Sequence, residues 1–190
     1  MKKYELTEDT IIVNGYILHR IIAIIDFGDI KKGDIGGWIE NERSLDQNGN
    51  AWVSGNAQVY GDARVYGDAL VYGNARVFRD ARVSGDARVF GDARVSGDAW
   101  VYGNARVFGN AQVYGNARVS GNADYIVFKN FWSSGRYFTW TRSNNMWIVG
   151  CFFGTGEELI KKAYKDSDVS GREYERVVRY VESILKDEKK

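Results

Sequence analysis

The chain contains few of the residues that would staple it, kink it or place a metal in it. It has no proline, so no polyproline linker separates segments. It has one cysteine, Cys151, so no intramolecular disulfide can form, which fits a reducing cytoplasm. It has one histidine, His19, too few for a three-histidine zinc site, and Cys151 cannot make up the count. Charge of one sign is lacking: 26 Lys and Arg face 25 Asp and Glu. By region the balance is 6 basic to 9 acidic in 1–50, 8 to 6 in 51–123 and 12 to 10 in 124–190. That near-neutrality argues against a general nucleic-acid binder or an anionic-membrane binder. No apolar run reaches the roughly 18 residues of a membrane span. The longest, such as 21–25, are strand-sized. Met1, Lys2 and Lys3 lead into polar residues, so no secretory signal is expected.

What the chain has in excess is glycine at fixed spacing. From Val53 to Val119 a valine recurs every six residues, with an alanine two residues before each and Ala123 closing the series. Gly-Asn or Gly-Asp separates the hexads, except at Arg79-Asp80, where Arg replaces Gly. In a strand, residues two apart share a face, so Ala and Val point inward while their neighbours point outward. Gly-Asn and Gly-Asp supply the corners, since both tolerate positive φ. Each hexad is then a short strand plus a corner, and three hexads close one triangular coil of 18 residues. Stacking is obligatory, because no hexad buries its own face.

The unit Ala-x-Val-(Tyr/Phe/Ser)-Gly-(Asn/Asp) resembles the hexapeptide-repeat superfamily, which includes acyltransferases and γ-type carbonic anhydrases. The resemblance implies a mainly β fold, a single-stranded left-handed β-helix, and it alone supplies the hand. Three regions are expected: a β-rich N-terminal cap and irregular first rung (1–50), the β-helix (51–123), and a small α+β cap (124–190) with an aromatic β segment and two helices. Asn14-Gly15 between apolar runs predicts a hairpin, with a further strand from Arg20 to Asp26. Ile39 and Leu45, 12 and 6 residues before Ala51, predict the first rung, with Trp38 over the apolar end. Thr155 and Ser170, each three residues before a Glu, predict helix N-termini. The stretches Gly33–Ile39 and Phe138–Asn145, with Gly150–Gly154, are similar to hexapeptide-repeat proteins of bacteriophages and prophages, whose usual label is a generic transferase.

Acyl transfer in this superfamily uses a histidine base on a loop leaving the coil. Here the hexads run without an inserted loop and carry no histidine. His19, in an Ile-rich strand, reads as structural. No catalytic residue, metal or cofactor is therefore assigned. The Asp62, Asp80 and Asp98 column reads as corner capping and pairing with neighbouring Arg, not as calcium ligation.

Every third hexad shares an outer face. The first presents Trp52, Leu70, Tyr72, Phe90 and Phe108, the most apolar set, and predicts a homotrimer interface, as the superfamily's usual trimer implies. The third presents Arg64, Arg82, Trp100 and Arg118, an arginine stripe with an aromatic, which suits a small nucleotide-like ligand. Its plainer reading is a solvated face whose Arg residues pair with corner Asp. A second aromatic and polar cluster, Arg136, Trp140, Arg142, Asn144, Asn145 and Trp147, suits a planar anion or, more plainly, forms the core of the C-terminal cap. Gly154-Thr155-Gly156 before a helix is a weak phosphate cradle, and Cys151, in an apolar strand, is expected to be buried. The expected role is a cytoplasmic, non-enzymatic binding or assembly protein of phage type. It would sequester a nucleotide-like ligand or block a host defence protein. The alternatives are an acyl- or nucleotidyl-type transferase with a non-histidine base, and a structural, polymer-forming scaffold.

Overall fold

A computed structural model describes residues 2–132 and 134–188. Residues 1, 133, 189 and 190, which fall within the two expected caps, lie outside the described residues. Strand β1 (Tyr4–Val13) turns at Asn14-Gly15 into β2 (Tyr16–Ala23), and both turn residues have positive φ, 50° and 86°. That is the geometry Asn-Gly permits at low cost. Residues 20–26 do not form a separate strand, because β2 itself continues to Ala23. Strand β3 (Ile35–Ile39) pairs antiparallel with β2 and parallel with the coil.

The coil runs as twelve short strands on three faces. The first face holds β4 (Trp52–Val53), β7 (Leu70–Val71), β10 (Arg88–Val89) and β13 (Arg106–Val107). The second holds β5 (Gln58–Tyr60), β8 (Arg76–Phe78), β11 (Arg94–Ser96) and β14 (Gln112–Val113), and β1, β2 and β3 extend it to seven strands. The third holds β6 (Arg64–Val65), β9 (Arg82–Val83), β12 (Trp100–Val101) and β15 (Arg118–Val119). Pairing is parallel, residue i beside i+18, as in Val53 with Val71 and Val83 with Val101. Every repeat Ala and Val through Val119 is buried, so the inward phase holds along the whole coil. Each buried Val contributes on the order of 1.5–3 kcal/mol. Ala123 departs from the series: it is exposed, in a short 3-10 turn (Asn122–Asp124) that leaves the coil.

The first rung is present but shifted by two residues. Ile39 pairs with Val59 and Leu45 with Val65, a spacing of 20, not 18. The extra residues lie in the corner after Leu45. Both side chains are buried in the valine position, whereas hexad counting puts them in the alanine position. Trp38 does not cover the open end; it sits outward beside Gln58, with the Arg20 guanidinium 4.7 Å from its ring. Tyr4, Ile21, Ala23 and Trp52 close that end instead. Close packing there requires glycine, since a Cβ on Gly37 would meet Val53 at 2.7 Å.

The C-terminal cap is an antiparallel sheet, β16 (Tyr125–Lys129), β17 (Tyr137–Thr141), β18 (Met146–Val149) and β19 (Phe152–Gly154). Helices α1 (Gly156–Asp166) and α2 (Asp168–Asp187) follow it and bury Leu159, Ile160, Val178 and Val181 against Phe138, Trp140 and Trp147. Thr155 caps α1 as the motif predicts, in a reciprocal box with Glu158. Helix α2 begins three residues earlier than its Ser170 motif suggests: Ser167 is the cap, accepting from the Ser170 N–H at 3.1 Å. Among the described residues no helix is long and apolar enough to cross a membrane.

Candidate functional site

The third face carries a cavity of about 680 Å³. Leu45 turns inward onto Val65, which pushes its neighbours Glu42, Arg43, Asp46 and Gln47 outward around the start of this face. Arg64 and Tyr66 of one rung and Arg82 of the next complete the wall. Arg64 and Arg82 are direct partners in the parallel ladder, so their guanidinium stems run side by side. The rim is rigid on its first-rung side. Gln47 accepts from the Lys3 N–H at 2.8 Å and donates to the Tyr4 carbonyl, while Asn41 accepts from the Arg43 N–H at 2.9 Å.

The charges in this cavity are unevenly satisfied. Glu42 is ion-paired with Lys2 at 2.6 Å, and Asp46 accepts both N–H groups of Asn48. Among the described residues no carboxylate comes within ion-pair distance of Arg43, Arg64 or Arg82. The expected pairing of the third-face arginines with corner aspartates therefore does not occur. The corner residues instead bond along their own columns, Asn50 to Asp68 at 2.7 Å and Asn74 to Asp92 at 3.2 Å. Short Asp and Asn side chains reach the next corner 18 residues on and not the outward Arg of a strand. A smaller hollow of about 220 Å³ adjoins the first and shares Arg43 and Arg64.

Beyond Arg82 the face changes character. Trp100 occupies the arginine column, donates from Nε1 to Ser84 Oγ at 2.9 Å and packs 4.7 Å from Tyr102. Arg118 lies 5.7 Å above its ring. Arg64 and Arg82 thus share the cavity, whereas Trp100 and Arg118 continue the stripe outside it. Glu42, Arg43, Asp46 and Gln47 escape hexad counting, because the first rung breaks the period. Their only sequence signal is a charged run flanking one apolar residue, Leu45.

The structure does not bring the residues of the C-terminal cluster together around one cavity. Trp140 and Trp147 are 1% and 2% exposed and form the cap core, with Trp140 Nε1 donating to Asn145 Oδ1 at 2.9 Å. Alternation along β17 sends Phe138 and Trp140 toward the helices, which is why these rings cannot face a ligand. Asn144 is used by Thr141 and by the coil corner at Asn116, and Arg142 pairs with Glu188 at 2.8 Å. Arg136 stands apart, exposed, on another hollow. Cys151, expected to be buried, is exposed.

The first face also needs one correction. Trp52 is 3% exposed, covered by Tyr4 at 6.3 Å and Phe27 at 5.4 Å between ring centroids. It cannot belong to an external interface, because the N-terminal strand and the loop after β2 fold over it. Leu70, Tyr72 and Phe90 are partly exposed, and Phe108 is 51% exposed. Tyr72 stacks on Phe90 at 4.8 Å, and Phe90 on Phe108 at 5.3 Å. His19 lies off this face and the third face, with Nδ1 3.3 Å from the Thr7 carbonyl inside the hairpin. Among the described residues no group of three or more His, Cys, Asp and Glu gathers as a metal site.

Residues 57–72, 69–85, 81–97, 87–103 and 111–123 match the model of the YdcK Beta solenoid repeat. Over 61 residues the chain is 39% identical to a protein of Escherichia coli (strain K12) named "Uncharacterized acetyltransferase YdcK". That match takes in 28% of this chain and 19% of the relative, so the chain spans under a fifth of the relative's length. The coil, with its buried Ala and Val ladders, is therefore a hexapeptide-repeat β-solenoid built from repeats of the YdcK type.

Proposed function

We propose that the third-face cavity binds a small, flat, phosphate-bearing molecule of nucleotide type and holds it without chemistry. The observation that carries this reading is the convergence of Arg43, Arg64 and Arg82, none within ion-pair distance of a carboxylate among the described residues, beside Tyr66 on about 680 Å³ of space. Guanidinium forks match phosphate oxygens, and an aromatic ring offers a stacking surface. The size lies within the range of small-molecule pockets. With no histidine in the coil to act as base, the ligand is retained and not converted, which makes sequestration the corresponding role. The first face is proposed to join three copies, through Leu70, Tyr72, Phe90 and Phe108.

Calorimetric titration with ADP tests the site. Replacing Arg64 and Arg82 with Gln weakens binding by roughly ten- to hundredfold per arginine, since charge-assisted hydrogen bonds contribute about 1.5–3 kcal/mol each. Unchanged affinity in the double variant, or no heat at millimolar ADP, overturns the reading. A second reading, transfer of an acyl or nucleotidyl group, is favoured by the name of the Escherichia coli relative. Its base would come from Asp46, Glu42 or Tyr66 at the same cavity. Turnover of acetyl-CoA above background, lost in Asp46→Asn, would establish it in place of sequestration.

A further inference from the structure

The one break in the corner glycines puts an arginine where every other hexad corner takes glycine. Arg79 holds φ at +62°, a conformation that its Gly counterparts adopt freely and an L side chain adopts at a cost. Strain taken on where the repeat elsewhere places glycine points toward function. The side chain is also fixed. Its guanidinium donates to the Tyr114 hydroxyl and lies 5.6 Å over that ring. Both residues line a hollow of about 330 Å³ between the second face and the C-terminal cap, with Arg94, Phe153 and Cys151. Phe153 is held edge-on to Tyr114 at 5.3 Å, and a Cβ on Gly115 would meet it at 2.7 Å, so this wall is firm. A further hollow of about 170 Å³ shares Arg94 with this one and adds Arg136. Among the described residues none of Arg79, Arg94 and Arg136 has a carboxylate within ion-pair distance.

We propose that this coil–cap groove is a second anion site, separate from the third-face cavity, and takes a small phosphate ester. Arg79, pinned in advance on Tyr114, and Arg94 would grip the phosphate, with Arg136 adding charge from the cap. Prior fixing lowers the ordering cost of binding, which gives the strained corner a use.

Cys151, the one cysteine of the chain, reports on the groove. The full chain is labelled with N-ethylmaleimide with and without pyrophosphate, at matched ionic strength. At ten times its Kd, pyrophosphate is expected to slow labelling about tenfold by simple occupancy. Arg79→Gly should abolish that protection while leaving the melting temperature unchanged or higher, because glycine restores the repeat. Arg82→Gln, on the other cavity, should leave protection intact. No protection by pyrophosphate, equal protection by sodium chloride, or protection that survives in Arg79→Gly overturns the proposal.

Discussion

Lys3 shows how a single residue escapes the pattern of its own sequence. It is 2% exposed, and its ammonium donates to the carbonyls of Asn48, Gly49 and Ala51 at 3.3, 3.2 and 2.9 Å. Nothing in a Lys near the start of a chain announces burial. The expanded corner after Leu45 creates the need, by leaving carbonyls that no strand satisfies. Burial lowers the Lys3 pKa to about 8 from an ordinary 10.5, against the opposing pull of Asp46 and Asp68. Between those values the unfolded chain holds more protons than the folded one, so stability rises with pH across that window. Below pH 8 both states are protonated and this slope vanishes. Burial raises the Tyr4 pKa, which opposes the trend only above pH 10. Urea midpoints at pH 7.5, 8.5 and 9.5 should therefore climb in the native chain relative to Lys3→Met. Parallel profiles for the two proteins would show that Lys3 carries no such linkage.

Among the elements, the corner is where sequence and structure agree most closely, and where a quantitative test is cleanest. Gly85 sits at φ +65° and a Cβ there would meet the Gly103 nitrogen and oxygen, both at 3.1 Å. Gly109 sits at φ +63° with nothing within 4 Å. Gly109→Ala should cost about 1–2 kcal/mol, the left-handed penalty alone. Gly85→Ala should cost more, because the coil above must also shift. Thermal unfolding of both variants checks the order; equal losses would mean that stacked corners yield freely. The corners and the inward Ala and Val were legible because a strict period of six repeats one local decision along the whole coil. The hairpin was legible through Asn14-Gly15 for the same local reason. The first rung was legible in Ile39 and Leu45 but its register was not, since the two residues inserted after Leu45 shift the phase by a whole inward position without leaving an apolar mismatch. The cavity inherits that blindness: Arg64 and Arg82 lie in the repeat and were readable, whereas Arg43, Glu42, Asp46 and Gln47 lie in the break. Trp52 and Cys151 failed for another reason, whereas Trp140 and Trp147 form the cap core that their plainer reading gave. Outward or inward is a property of a strand, but what covers the outward side comes from residues far away in sequence.

For the whole molecule, the proposed trimer turns on which apolar surface would join the copies. The first face offers the stacked ladder of Tyr72, Phe90 and Phe108, a rigid surface whose rings are already ordered against one another. The hairpin offers a competitor that the repeat does not reveal. Ile12 and Ile17 are cross-strand partners, 77% and 55% exposed, and Ile35 is 52% exposed on the same sheet. Ladder stacking lowers the entropy lost on association, and three rungs, at Tyr72, Phe90 and Phe108, supply a longer contact than one hairpin tip, which favours the first face for the proposed trimer. A charge buried in such an interface is strongly destabilising. Phe90→Glu and Phe108→Glu, both outward on the coil, should turn a trimer into monomers in sedimentation velocity runs while the coil's circular dichroism stays unchanged. Ile12→Glu and Ile17→Glu should leave the trimer intact. If the hairpin pair dissociates it and the ladder pair does not, the copies meet end-on through the N-terminal cap. The first face would then be free to carry a different partner.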